Sequence, residues 1–379
     1  MLLKEAKARE IKDSRGEPTI EVEINGCAAS SPSGKSKGKY ETPSFHKSLK
    51  WNIDFINKTK FNLELNKFDD LDKVEKFIKN KAKLKNAREF GANALFALES
   101  AILKALAKEE KKELYEIVSG GKKISKIPVP VGNVIEGGLH AHNKEHPNFQ
   151  EFLIIPKNKT AKENVKVMQL IHTKLKHILK TRLKTDEGAW ITHFNEEQIF
   201  EILNEFKIRF GNDIAASSFY HEGNYIYRNK ILNRETQILY INSLIKNFNL
   251  VYIEDPLQEE DFEGFSKINK SENNMIVGDD LTVTHIDRLK KAIQMKSINA
   301  MIVKPNQNGS LLELKKIFQI CKDNGIKTIL SHRSGETMDD ALADYAVGFG
   351  ADYIKCGIST KWREVKLKRL MEIERKINS

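Results

Sequence analysis

The 379-residue sequence is poor in cysteine: Cys27, Cys321 and Cys356 lie far apart, with no CxxC pair among them. Three isolated thiols build neither a disulfide framework nor a zinc ribbon, and a reducing, cytoplasmic setting fits this usage best. Punctuating residues are also few. Only 21 Gly and 9 Pro exclude collagen-like and low-complexity chains, and 40% apolar residues exclude wholesale disorder. No run of uncharged apolar residues reaches the length of a membrane helix, and residues 1–12, where charges alternate with small apolar side chains, read as neither signal peptide nor anchor. Charge is abundant. The net charge of +11 suffices to attract polyanions through its long-range field. It is scattered, however, without zinc-finger spacing or an aromatic-basic pattern, so nucleic acid is expected to bind nonspecifically if at all.

What is present falls into two parts. Ile20, Val22 and Ile24 alternate with Glu21 and Glu23 ahead of Asn25-Gly26, which predicts a half-buried strand entering a hairpin. Across 92–117, Leu95, Leu98, Ile102, Leu106 and Leu114 recur mostly at helical spacing until Gly120-Gly121, which predicts helical structure there. Residues 1–122 therefore read as a small α+β domain. Downstream, apolar runs at 124–134, 152–155, 250–253, 275–277, 300–303 and 328–330 alternate with amphipathic helices, the pattern of an α/β fold with a parallel sheet. Residues 123–379 match the roughly 250 residues of a (β/α)8 barrel.

Glu254, Asp279, Lys304 and His332 each stand directly after one of these runs, at intervals of about 25 to 28 residues, one strand-helix unit apart. Successive units bring such positions to one rim, where barrel enzymes build active sites. Asp213, ahead of another turn, is a candidate third carboxylate beside Glu254 and Asp279. Taken singly, each acid reads equally well as a surface or helix-capping residue; their joint placement carries the reading. Hard oxygen donors with no cysteine or paired histidine favour Mg2+ over zinc. Lys304 is a candidate proton acceptor, since burial would lower its pKa and nearby carboxylates or an anionic substrate would raise it.

Several motifs then converge. Asp13-Ser14-Arg15-Gly16-Glu17-Pro18-Thr19, Pro32-Ser33-Gly34-Lys35-Ser36, Gln150-Glu151-Phe152, Ile253-Glu254-Asp255-Pro256, Gly278-Asp279-Asp280-Leu281-Thr282-Val283-Thr284 and Ser331-His332-Arg333-Ser334-Gly335-Glu336-Thr337 resemble the enolase family, as a short and divergent member. The resemblance spans essentially the whole chain. It implies an enolase-type modified (β/α)8 barrel, with its second strand antiparallel, preceded by a smaller α+β capping domain that carries a mobile active-site loop. The activity implied is the reversible dehydration of 2-phosphoglycerate to phosphoenolpyruvate, a hydro-lyase step of glycolysis and gluconeogenesis. A proton beside a carboxylate is very weakly acidic, so removing it requires concentrated positive charge around the enolate-like intermediate.

Carried over by motif, Asp213, Glu254 and Asp279 would hold the first of two Mg2+ ions and Ser36 would help hold the second. Lys304 would be the base. Glu187, within Asp186-Glu187-Gly188, would protonate the departing hydroxyl, with Glu151 in the supporting hydrogen-bond network. Arg333 and Ser334 would bind phosphate, where a planar guanidinium donates two parallel hydrogen bonds. Lys355 and His332 would orient and neutralise the phosphorylated substrate, and His140 would contact it. Arg15 matches a position that bridges enolase dimers, so a homodimer or higher homo-oligomer is implied.

Some positions depart from the family pattern. Lys35 and Lys37 replace small or hydroxyl residues, Glu136 an asparagine, Leu139 a serine, Thr185 and Ala189 glycines, Ser218 a glutamate and Pro305 an aliphatic residue. His142 and His146 read as loop histidines. Three further readings compete: a phosphate-binding loop, which Ala29 argues against because it stands where that motif needs its first glycine, a catalytically weak enolase-like binding protein, and another proton-abstracting member of the superfamily acting on a different carboxylate, which the matching phosphate-binding motif argues against.

Overall fold

The computed structural model describes residues 1–35, 38–124, 126–141 and 145–378. Near the N-terminus, strands β1 (Lys7–Lys12), β2 (Pro18–Ile24) and β3 (Cys27–Ser30) form an antiparallel sheet in that order. Ile20, Val22 and Ile24 are buried and Glu23 is exposed, as the alternation predicts. Asn25 and Gly26 both adopt positive φ, the requirement of a tight hairpin turn. Helices α1 (Leu49–Lys58), α2 (Leu71–Ala82), α3 (Ala92–Glu109) and α4 (Leu114–Ser119) complete this part, with α3 lying against β2 and β3.

The helical stretch read over 92–117 is two helices. Residues 108–113 are all charged and offer the core nothing, Lys111 turns left-handed, and Glu113 restarts the helix through a reciprocal capping box with Glu116.

Eight strands close the barrel: β4 (Val129–Glu136), β5 (Glu151–Ile155), β6 (Arg209–Asp213), β7 (Tyr252–Glu254), β8 (Met275–Gly278), β9 (Ala300–Val303), β10 (Lys327–Ser331) and β11 (Tyr353–Lys355), with β11 pairing back onto β4. β5 runs antiparallel to both neighbours and every other pairing in the ring is parallel. The all-parallel sheet expected from alternation is corrected here, whereas the antiparallel second strand implied by the resemblance is borne out. The cause lies in the connection. Among the described residues only the short turn Gly138–His140 separates β4 from β5, and no crossover helix is present to return the chain in the parallel sense.

The strand expected over 124–134 begins at Val129, whose N–H takes up the Asp352 carbonyl, and runs on to Glu136. β6 and β11 gave no apolar run. In β6, Gly211 is dictated by a close approach, since a Cβ there would stand 2.1 Å from the Tyr252 carbonyl oxygen. Val131, Leu153, Ile155, Tyr252, Met275, Val277, Ala300, Ile302 and Ile329 pack as one apolar cluster, separate from the larger core. Among the described residues no helix is long and apolar enough to cross a membrane.

Two features fix the rim. Glu151, Asp213 and Glu254 stand side by side in register across β5, β6 and β7. Ser33 and Gly335 exchange backbone hydrogen bonds of 2.7 and 2.9 Å, pinning the N-terminal loop to the turn after β10.

Candidate active site

A cavity of about 350 Å³ opens at the carboxyl-terminal rim. His140, Glu151, Glu187, Asp213, Asp279, Lys304, His332, Arg333, Ser334 and Lys355 all line it. Glu254 lies beneath, with no exposure to solvent. Ser36 and Lys37, and likewise His142, fall outside the described residues.

On one flank the strand register builds a carboxylate nest. Lys355, at the end of β11, places its Nζ 2.7 Å from Glu151, 3.2 Å from Asp213 and 2.8 Å from Glu254, while Tyr252 donates its hydroxyl to Glu254 at 2.5 Å. Burial opposes the ammonium, but the three carboxylates outweigh it and hold the lysine well above its usual pKa. Even so the nest is over-negative. Burial, Asp213, Asp279 and Glu151 push Glu254 far up despite Lys355.

Asp279 stands two residues beyond the position paired with Glu254, and Lys304 at the end of β9 donates to it. Burial would raise Asp279, yet Lys304, Lys355 and Arg333 overcome it and keep the carboxylate ionised. Its Oδ1 is buried without a hydrogen-bond partner. Asp255 orients this corner by accepting the N–H groups of Asp279 and Asp280 at 3.0 and 2.7 Å, and oxygens of Asp255, Asp279 and Asp280 lie within 4.8 Å of one another. An orphaned carboxylate oxygen in an over-negative, all-oxygen surrounding suits a hard divalent cation.

Burial works against a charged Lys304, but Asp279 and Glu254 outweigh it and Arg333 and Lys355, so the side chain rests as ammonium above its usual pKa. Of the two influences set out for this lysine, the carboxylates dominate. Pro305 takes the first position of the short helix Pro305–Asn308, where its missing N–H leaves nothing unpaired.

The opposite flank carries Glu187, which projects from a tight turn in which Gly188 has φ +86 and donates to the Thr185 carbonyl. His332 Nε2 approaches Glu187 at 3.3 Å, and His332 Nδ1 accepts a hydrogen bond from Arg363 Nε at 3.0 Å. An arginine is always a donor, so the His332 ring is neutral with its proton on Nε2. Burial, Arg363 and the nearby lysines hold its pKa down at about 3, despite Glu187. Burial would raise Glu187, but His332, Arg363, His140 and Lys355 together hold it below the usual carboxylate range. His140 has its Nδ1 3.4 Å from Glu136, and against burial the Glu136, Glu187 and Glu151 carboxylates raise it to about 9. Burial and the neighbouring acids raise Glu151 to about 8, against the pull of Lys355.

Between the flanks, Arg333 presents its guanidinium to Glu41 through hydrogen bonds of 2.9, 2.9 and 3.0 Å, and to Asn306 at 3.2 Å. Ser334 Oγ accepts the Lys35 N–H at 2.7 Å. Arg15, read as a dimer-bridging residue, reaches Asp13 at 3.4 Å and Ser33 at 3.0 Å within the chain.

Glu41, Asp255, Asp280 and Arg363 were missed from sequence. The paired acids Glu254-Asp255 and Asp279-Asp280 at strand ends were a readable signal. Arg363 gave none: it lies in the charged helix Lys361–Asn378, yet it is fully buried and also donates to the Arg333 and Ser334 carbonyls at 3.1 and 3.0 Å.

Comparison with known proteins agrees with this geometry. Residues 3–118 match the family described as enolase, N-terminal domain, and residues 124–379 the family described as enolase, C-terminal TIM barrel domain. The enolase of Methanocorpusculum labreanum is 38% identical over 396 residues, covering 97% of this chain and 97% of the relative. That of Archaeoglobus fulgidus is 36% identical over 397 residues, covering 99% and 97% respectively. The Thermoplasma acidophilum enolase is 36% identical over 402 residues, covering 100% and 99%. With both halves matched and relatives aligned end to end, this chain belongs to the enolase family.

Proposed function

We propose that this protein is an enolase, interconverting 2-phosphoglycerate with phosphoenolpyruvate and water. The observation that carries the reading is a single cavity lined on one side by Lys304 and Lys355 among carboxylates and on the other by Glu187 and His332, with Arg333 and Ser334 between. Divalent metal is implied by the family. Mg2+ would be held by Asp213, Glu254 and Asp279, with a second ion aided by Ser36, and bound metal supplies the positive charge that makes the carbon acid ionisable.

The chain's own groups do the rest. Arg333 and Ser334 seat the phosphate and fix the substrate's position. Lys355 lends positive charge beside the substrate carboxylate. Lys304, after releasing its ammonium proton to solvent, takes the proton from the carbon next to that carboxylate. Glu187 gives a proton to the departing hydroxyl, which leaves as water, and His332 stands beside the Glu187 carboxyl with its Nε2 at 3.3 Å. Glu151 and His140 complete the network around the leaving group.

The domains in this reading are 1–122, a cap whose loop closes on the site, and 123–379, the catalytic barrel. A homodimer and a cytoplasmic location belong to the same proposal. The test mixes purified protein with 2-phosphoglycerate and follows phosphoenolpyruvate absorbance. Mg2+-dependent product that EDTA abolishes is the expected outcome; folded, metal-replete protein that forms none would favour the weak-binding alternative.

A further inference from the structure

Glu136 has no part in that scheme, yet it is fully buried at the end of β4 beside the acid flank. Asn133 donates to one of its oxygens, and the other faces His140 Nδ1 at 3.4 Å without a hydrogen bond. Glu151 stands opposite it on β5. Thr185, Asp186 and Glu187 from the loop ahead of the Trp190–Ile191 strand, and Lys35 from the cap, line the same small pocket. Donor atoms of Glu136, His140, Glu151 and Glu187 lie within 4.8 Å of one another.

Three carboxyl groups so close, and so well sealed from water, do not all ionise together. The cations are unevenly shared: Lys355 reaches Glu151 at 2.7 Å, and Arg363 and His332 face Glu187 at 3.9 and 3.3 Å, whereas His140 alone approaches Glu136 among the described residues. Protons that the cluster retains are therefore held by the Glu136–His140 pair, which has the fewest cations, and by Glu151, which burial and the neighbouring acids raise to about 8 despite Lys355. Burial and the Glu187 charge raise Glu136, in agreement.

We infer that Glu136 and His140 form a proton store for Glu187. This rests on the enolase reading. In the dehydration direction a proton leaves the pair, breaking the bond to imidazole nitrogen or carboxyl oxygen, and forms an O–H bond on Glu187. Glu187 then passes it to the departing hydroxyl, giving water, and solvent restores the pair. In hydration the proton retraces these bonds. Glu136 is a positioning residue in this scheme, since it acts through Glu187 rather than on the substrate.

The experiment compares two rates in D2O with Mg2+: exchange of the substrate's C2 hydrogen, which needs the base alone, and release of phosphoenolpyruvate, which also needs the acid. In Glu136→Gln, product release falls on the order of 10²-fold and the alkaline limb of kcat moves to lower pH, while exchange and KM stay within about twofold. Glu136→Asp restores part of the product rate, and it provides the same ratio should the Gln variant fail to fold. An unchanged kcat and pH profile in folded Glu136→Gln overturns the inference, and so does an equal fall in both rates, the mark of a merely structural role. Wild-type protein that neither exchanges nor eliminates overturns the enolase reading instead.

Discussion

The two flanks of the cavity crowd carboxylates to a similar degree and relieve the repulsion in opposite ways. On the strand-end side, Glu151, Asp213 and Glu254 share one permanent cation, the Lys355 ammonium, at 2.7 to 3.2 Å. On the loop side, Glu136 faces the His140 imidazole, which can release a proton, and Glu187 faces the neutral ring of His332. Under the proposed function, fixed charge suits the side that would stabilise negative charge growing on the substrate, because it needs no rearrangement at the moment of reaction. Mobile protons suit a side that must give one away.

This contrast can be broken most decisively at the base. Lys304→Ala should lower both C2 exchange and product release by up to about 10⁴-fold, and exchange retained at the wild-type rate would remove Lys304 from its role. Glu187→Gln should separate the flanks, with product release falling on the order of 10²-fold or more while exchange persists. Loss of both rates together would mean that the flanks are not functionally distinct. Arg333→Lys sharpens the description of the ground between them: a point ammonium cannot reproduce a planar fork, so KM should rise roughly tenfold with a smaller change in kcat, read from initial rates.

The smallest effect concerns the scaffold behind the acid turn. His172 is neutral, bonding the Gly188 carbonyl through Nε2 at 2.9 Å and stacking on Trp190, and burial lowers its pKa to about 4 despite that bond. The unfolded chain takes up this proton near the ordinary value of 6.5 and the folded chain only near 4, so stability contributed by His172 is lost as pH falls between the two. In His172→Gln, the decline in Tm from pH 6.5 to 4 should be shallower than in wild type, as thermal melts would reveal.

Much of the barrel was legible because its strands are uninterrupted apolar runs. Ala300–Val303 is buried throughout and was read to the residue. β6 defeated the same reasoning. Its sequence Arg-Phe-Gly-Asn-Asp carries a glycine demanded by the neighbouring Tyr252 backbone and an Asn212 whose side chain is buried without partners, so tertiary contact, not periodicity, makes it a strand. Within the site, residues closing a strand run could be found by position. Glu41 and Arg363 could not, because each comes from a distant segment and takes its meaning only from the cavity residue it bonds, Arg333 or His332.

The Glu41–Arg333 clasp also bears on how a ligand arrives. If Arg333 seats the phosphate as proposed, the incoming group would meet a guanidinium already engaged by the Glu41 carboxylate from the cap, and docking would exchange one anion for another. Glu41 is one of several ties on its segment: next to it the Thr42 N–H donates to the Gln307 carbonyl at 3.2 Å, and the Pro43 carbonyl accepts the Ala92 N–H at 2.8 Å. Under the proposed function, a phosphate at Arg333 would compete with one of the contacts through which the cap meets the barrel.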